Sequence, residues 1–206
     1  MTPTLVFDIE TVPDCAGLRR LHAIDPGVSD KDVAEFAFQR RRASHNTDFL
    51  PLHLHRVVAI SCAMREGDGF RVWSLGSPQD SERVLIQRFF DGIDKYTPTL
   101  VSWNGGGFDL PVLHYRGMVH GVSAPRYWDQ GEDDREFKWN NYISRYHSRH
   151  TDVNARFQLL RGVFDAARCA AEFDLVRATL SRAKEPHWQQ FLAAWPQPAA
   201  DGVAGA

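Results

Sequence analysis

Hydrophobic positions along the chain change their period several times, and each change marks an element. Residues 4–7 are a short β-favouring apolar run that meets two acids and then Pro13, which predicts a buried strand with Asp8 and Glu10 at its C-terminal end. Open α/β sheets gather their ligands at that end. Ser29 followed by Asp32 reads as a helix N-cap with an acid at N3, and Val33, Phe36, Ala37 and Arg40 continue at helical spacing into the basic run Arg40, Arg41, Arg42. Residues 57–63 and 70–75 are β-rich and flank Glu66-Gly67-Asp68-Gly69, which predicts an antiparallel hairpin.

Further along, Val84, Leu85, Phe89 and Ile93 share one helical face, with Asp80 or Ser81 as cap. Residues 99–103 form a short strand pattern that runs into Asn104-Gly105-Gly106-Gly107 and then a helix carrying Leu110, Leu113 and Met118. Beyond Gly121 the pattern weakens. Residues 157–160 with Phe164, and residues 173–180, predict two closing helices, and residues 188–195 a third. The order strand, hairpin, helix, strand, helix implies an α/β fold: a mixed sheet flanked by helices, in one domain over residues 1–195. Residues 196–206, rich in Pro, Ala and Gly, read as a disordered tail.

Composition narrows the partners. The 206 residues are 43% hydrophobic and 24% charged with a net charge of −2, so no long-range pull on polyanions is expected, and nucleic acid must be met by a local basic patch or by bound metal. Cys15, Cys62 and Cys169 are too scattered for a disulfide framework or a structural zinc site, which fits a cytoplasmic protein. Neither a leader pattern at residues 1–5 nor an apolar run of membrane-spanning length is present.

The chemistry concentrates in two places. One residue separates Asp8 from Glu10, so an extended backbone points both carboxylates to the same face while Ile9 turns into the core. Like charges so placed repel unless a cation lies between them, and oxygen donors suit Mg²⁺ or Mn²⁺. Taken alone, the pair is equally compatible with two solvated acids at a strand end. In the second place, Ser102-Trp103-Asn104-Gly105-Gly106-Gly107-Phe108-Asp109, the glycines allow a tight turn with space beside it, Phe108 can anchor the turn and Asp109 stands where a helix begins. By itself this is an ordinary capped loop; beside Asp8 and Glu10 it becomes the other half of a site.

Phe7-Asp8-Ile9-Glu10-Thr11, followed about 100 residues later by Asn104-x-x-x-Phe108-Asp109, resembles the first two exonuclease motifs of family B DNA polymerase proofreading domains, and most closely the small predicted PolB-like 3′–5′ exonucleases of the DEDD superfamily. The resemblance covers residues 2–152. It implies a ribonuclease H-like fold and a 3′–5′ exonuclease acting on single-stranded DNA or RNA ends. Asp8, Glu10, Asp109 and a fourth acid would hold two Mg²⁺ or Mn²⁺ ions, with Thr11, Asn104 and Phe108 meeting the terminal nucleotide.

The chain departs from that family at the third motif, Tyr-x-x-x-Asp. Asp152 has Ser148 four residues before it and Asp165 has Arg161; Tyr142 and Tyr146 are followed at that spacing by Tyr146 and His150. The segment between the second motif and the C-terminal part looks shortened near residues 152–156, as if two similar Thr-Asp sequences had fused. Asp152 is therefore the expected fourth ligand and catalytic acid, ahead of Asp165 and Asp174. The alternatives are a catalytically impaired nucleic-acid-binding relative and a poorly folding fragment.

The remaining features have plainer readings. His53, His55, His147 and His150 read as surface or hydrogen-bonded residues rather than zinc ligands, and Glu132-Asp133-Asp134 with Glu136 as a solvated loop. Arg40 to Arg42, Arg145 and Arg149 are candidate phosphate contacts, and Trp103, Trp128 and Trp139 candidate base-stacking residues.

Overall fold

The computed structural model of the chain describes residues 2–144, 147–151 and scattered positions between 162 and 193. Asp152, residues 157–160, Phe164, half of residues 173–180, most of residues 188–195, and the tail 196–206 lie outside the described residues.

Five strands, β1 (Thr4–Pro13), β2 (His55–Glu66), β3 (Gly69–Ser74), β4 (Thr99–Val101) and β5 (His150–Thr151), form one sheet in the order β3-β2-β1-β4-β5. Neighbours β3-β2-β1 pair antiparallel and β1-β4-β5 pair parallel, the mixed sheet of the ribonuclease H-like class. The α-helices whose bounds are described are α1 (Cys15–His22), α2 (Asp30–His45), α3 (Glu82–Tyr96), α4 (Asp109–His120) and the single turn α5 (Pro125–Trp128). None among the described residues is long and apolar enough to cross a membrane.

Alternation along β1 explains which way the sheet faces. Leu5, Phe7 and Ile9 are buried, while Val6, Asp8 and Glu10 point to the opposite, exposed face. The buried set packs on Leu85, Ile86, Phe89, Phe90 and Ile93 of α3 and on Leu110, Val112 and Leu113 of α4, with the Phe7 and Phe89 rings 4.9 Å apart. A second, smaller core joins Leu18 of α1, Val33 and Ala37 of α2, and Leu50 and Leu54 of the chain leading to β2.

Three differences from the sequence reading bear on the site. First, β1 does not stop at Phe7: β2 pairs with it as far as Pro13, opposite His55. On its other edge β4 pairs only with Thr4, Leu5 and Val6, so Asp8 and Glu10 lie beyond the end of the parallel pairing although they are inside the strand. Second, the register shifts between Glu10 and Thr11, whose partners are Ala59 and Val57, leaving Val58 as the extra residue of a bulge. Third, α1 and β5 carry too little pattern to be read from sequence. A single buried residue, Leu18, anchors α1, and β5 is two residues long.

Candidate active site

Past Val6 the β4-side edge of β1 has lost its strand partner, and an unpaired backbone N–H there needs another acceptor. Asp109 supplies it. The Ile9 N–H donates to Asp109 Oδ1 at 3.1 Å, which brings a carboxylate 3% exposed to the backbone between Asp8 and Glu10. Asp109 is not the cap of α4; that position is Phe108, with no side-chain capping bond, and Asp109 is the first helical residue, where a negative charge suits the helix dipole. The structure thus joins the two halves of the predicted site through one hydrogen bond.

The loop that makes this possible depends on two close approaches. A Cβ on Gly105 would sit 2.0 Å from Ser102 Oγ, and one on Gly107 would sit 2.6 Å from Asn104 Oδ1. The positive φ of the turn, 56°, falls on Asn104, a residue type that tolerates the left-handed region. The Asn104 carbonyl accepts from the Gly107 and Phe108 N–H groups, fixing the turn into α4, while the Asn104 and Trp103 side chains stay exposed.

Electrostatics at the strand end single out Asp8. Asp8 is exposed on its outer face, yet partial burial by surrounding protein pushes its carboxyl pKa above the ordinary value. A positive ion nearby would relieve that penalty. The donors are all carboxylate oxygens, the chemistry Mg²⁺ and Mn²⁺ prefer. Among the described residues no three acid, histidine or cysteine side chains are grouped so as to hold a metal ion.

Thr11 and Phe108 flank the acids and meet through His55. The Thr11 hydroxyl lies 3.1 Å from His55 Nδ1, and His55 Nε2 lies 3.1 Å from the Leu50 carbonyl. A carbonyl can only accept, so Nε2 carries the proton and Nδ1 accepts from Thr11. Burial holds the His55 pKa below its usual value, in keeping with a neutral ring. Its face meets Phe108 edge-on at 5.1 Å and Phe49 at 4.9 Å. Sequence reasoning passed over this arrangement because Phe49, His55 and Phe108 share no local pattern.

Asp152, the expected fourth ligand, lies outside the described residues. The strand that leads to it does reach the sheet edge: Thr151 is level with Val101 and, through it, Val6, and the Ser102 N–H donates to the Thr151 carbonyl at 3.2 Å. Asp174 is an exposed acid 3.7 Å from Arg177.

Several other candidates have partners within the fold. Arg42 pairs with Glu35 and Asp48, and Arg41 Nε donates to the Phe49 carbonyl, so the basic run holds the loop after α2. Arg149 lies over the Phe137 ring at 4.1 Å. His147 accepts from the Asn141 N–H, and His150 bonds Ser102. Within the acidic run, Asp134 pairs with Arg126, and the backbone turns around the buried Asp129 carboxylate.

Residues 47–155 match the family model described as predicted 3′–5′ exonuclease related to the exonuclease domain of PolB. The chain is 42% identical over 45 residues, 21% of its length, to the catalytic subunit of DNA polymerase epsilon from Saccharomyces cerevisiae, and 50% identical over 38 residues, 18% of its length, to DNA polymerase 1 of Sulfurisphaera ohwakuensis. These stretches span 2% and 4% of the respective polymerases. Among solved structures, a family B DNA polymerase from Pyrobaculum calidifontis aligns over 60% of this chain and 12% of its own, at 21% identity and a TM-score of 0.36. With more than half of its length matched by that family model, the chain belongs to the family of predicted 3′–5′ exonucleases related to the exonuclease domain of family B DNA polymerases.

Proposed function

We propose that the chain is a metal-dependent 3′–5′ exonuclease that shortens single-stranded DNA or RNA ends, with residues 1–195 as its one domain. The observation that carries this reading is the Asp109 carboxylate seated on the Ile9 N–H, between two acids that β1 turns to the same face. Asp8, Glu10 and Asp109 hold Mg²⁺ or Mn²⁺, with Asp152 as the fourth ligand of a two-ion site. Bound ions of this kind supply an activated water and neutralise the scissile phosphate. Around them, Asn104 and Thr11 orient the terminal nucleotide, and Phe108 packs at its side.

A specific feature of the sequence favours a second reading, a nucleic-acid-binding relative that no longer cuts: no Tyr-x-x-x-Asp occurs after Asp109. One assay separates the two. A 5′-labelled single-stranded oligonucleotide is incubated with Mn²⁺ and the protein, beside an Asp8→Ala preparation. The exonuclease reading predicts a ladder shortening from the 3′ end that Asp8→Ala abolishes. Retention of the labelled strand without shortening supports the second reading and refutes the first.

A further inference from the structure

A cavity of ≈ 420 Å³, within the range of small-ligand sites, opens where the starts of β2 and α3 meet α1 and the second half of α4. None of Asp8, Glu10 and Asp109 lines it. Arg116 and His120, which do, follow Asp109 along α4 by about 10 and 16 Å of helix rise, so the cavity stands apart from the acid site.

Its charges do not cancel. Asp14 accepts from the Gly17 N–H and from Arg116, Glu82 accepts from the Val57 N–H and from Arg116 and bonds His120, and Asp80 accepts from the Ser77 N–H and pairs with Arg88. These three acids stand against four arginines, Arg20, Arg56, Arg116 and Arg88, so the balance is positive even with a neutral His120. The surplus sits on two of them. Arg20 of α1 and Arg56 of β2 are exposed in the lining and make no hydrogen bond or ion pair among the described residues. The Ser81 hydroxyl, also in the lining, makes no capping bond to α3.

Two guanidiniums and a hydroxyl without partners are a set of donors, and an oxyanion satisfies them. The planar guanidinium fork matches phosphate oxygens two at a time. A chain of net charge −2 draws phosphate only through such a local surplus. Val57, Val58, Pro78, Leu85 and Val119 complete the wall with apolar surface, which leaves room for the group that carries the phosphate. We infer that this cavity is a phosphate-binding site distinct from the acid site, with Arg20 and Arg56 as its clamps and Ser81 as a further donor. A free mononucleotide and the backbone of a strand present the same chemistry to it. The inference uses neither the acids nor a metal, so it stands independently of the exonuclease reading.

The test is run in EDTA, so that no metal joins a ligand to the acids. The protein is titrated with inorganic phosphate, with thymidine 5′-monophosphate and with a short single-stranded oligonucleotide, while its backbone amide and arginine Nε–H signals are followed by NMR. Saturable shifts at Arg20, Arg56 and Ser81 are expected. Arg20→Gln and Arg56→Gln should each weaken binding roughly 10- to 150-fold, the span of one hydrogen bond to a charged group, with an unchanged thermal transition because neither arginine has a partner in the fold. Tightest binding of the monophosphate supports the site with a free nucleotide as its source of phosphate, and tightest binding of the oligonucleotide supports it with a strand as the source. No saturable shift at Arg20 and Arg56 with any of the three, or equal binding by the double variant, overturns the site and leaves the exonuclease reading standing.

Discussion

Arg116 of α4 is the most consequential charge outside the acid site, and removing it has a calculable result. Its guanidinium is 4% exposed and bridges Asp14, the N-cap of α1, at 2.7 Å and Glu82, the first residue of α3, at 2.6 Å; those carboxylates are 8% and 7% exposed. It also donates to the His53 carbonyl, and Glu82 accepts from the Val57 N–H and bonds His120. Burial raises the pKa of both acids, but these bonds outweigh it and hold both below the ordinary range. Arg116→Met keeps much of the side-chain volume and strands two buried carboxylates. Breaking a buried pair on one side costs about 3–5 kcal/mol, a large part of a typical stability of about 5–15 kcal/mol. In the variant, burial without Arg116 lifts both pKa values, so the penalty is full at neutral pH and shrinks as acid protonates them. Wild-type protein behaves oppositely, losing this contribution as pH falls through the carboxylate range. Urea unfolding of both proteins at pH 7 and pH 5 measures the difference. A loss under about 1 kcal/mol at pH 7, or one that grows on acidification, would refute the reasoning.

Other consequences follow from single contacts. Burial among Tyr127 and Trp128 holds His114 down to about 4, with no hydrogen-bond partner for its Nε2 among the described residues. The folded chain prefers the neutral ring, so stability should decline as pH drops from about 6.5 towards 4, by on the order of 2–3 kcal/mol, and His114→Phe should flatten that slope in urea titrations. Asp109→Ala leaves the Ile9 N–H without its acceptor and should cost about 1–3 kcal/mol by denaturant unfolding, whereas Asp109→Asn should cost far less. Gly105→Ala drives a methyl into Ser102 and should lower stability by about 1–3 kcal/mol while displacing the loop, seen as a lower melting temperature and weakened digestion.

What could be read in the sequence was local. The Ser29 cap, bonded to the Asp32 N–H, the turn at Gly67 between β2 and β3, and the face of α3 all follow from neighbours within a few residues. Asp8, Glu10 and the glycine loop were legible because spacing and backbone freedom carry their own signal. The bond that unites them was not, since Ile9 and Asp109 are 100 residues apart and only the early end of β4 creates the vacancy Asp109 fills. The same holds for the Arg116 network, whose members come from the starts of α1 and α3 and from α4, and for the Phe49–His55–Phe108 cluster. The partners of the basic run near the end of α2, a candidate phosphate contact in the sequence, were likewise not legible: Asp48 and the Phe49 carbonyl take up two of its three arginines.

The central claim is that Asp109 does more than hold Ile9. Single-turnover digestion of a 5′-labelled single strand in Mn²⁺ should be measured for wild type and Asp109→Asn, which keeps the oxygen that accepts from Ile9 but removes the charge. The expected result is a rate lower by roughly 100-fold or more at an unchanged melting temperature. Digestion at the wild-type rate would contradict the claim and reduce Asp109 to a structural clasp between β1 and α4.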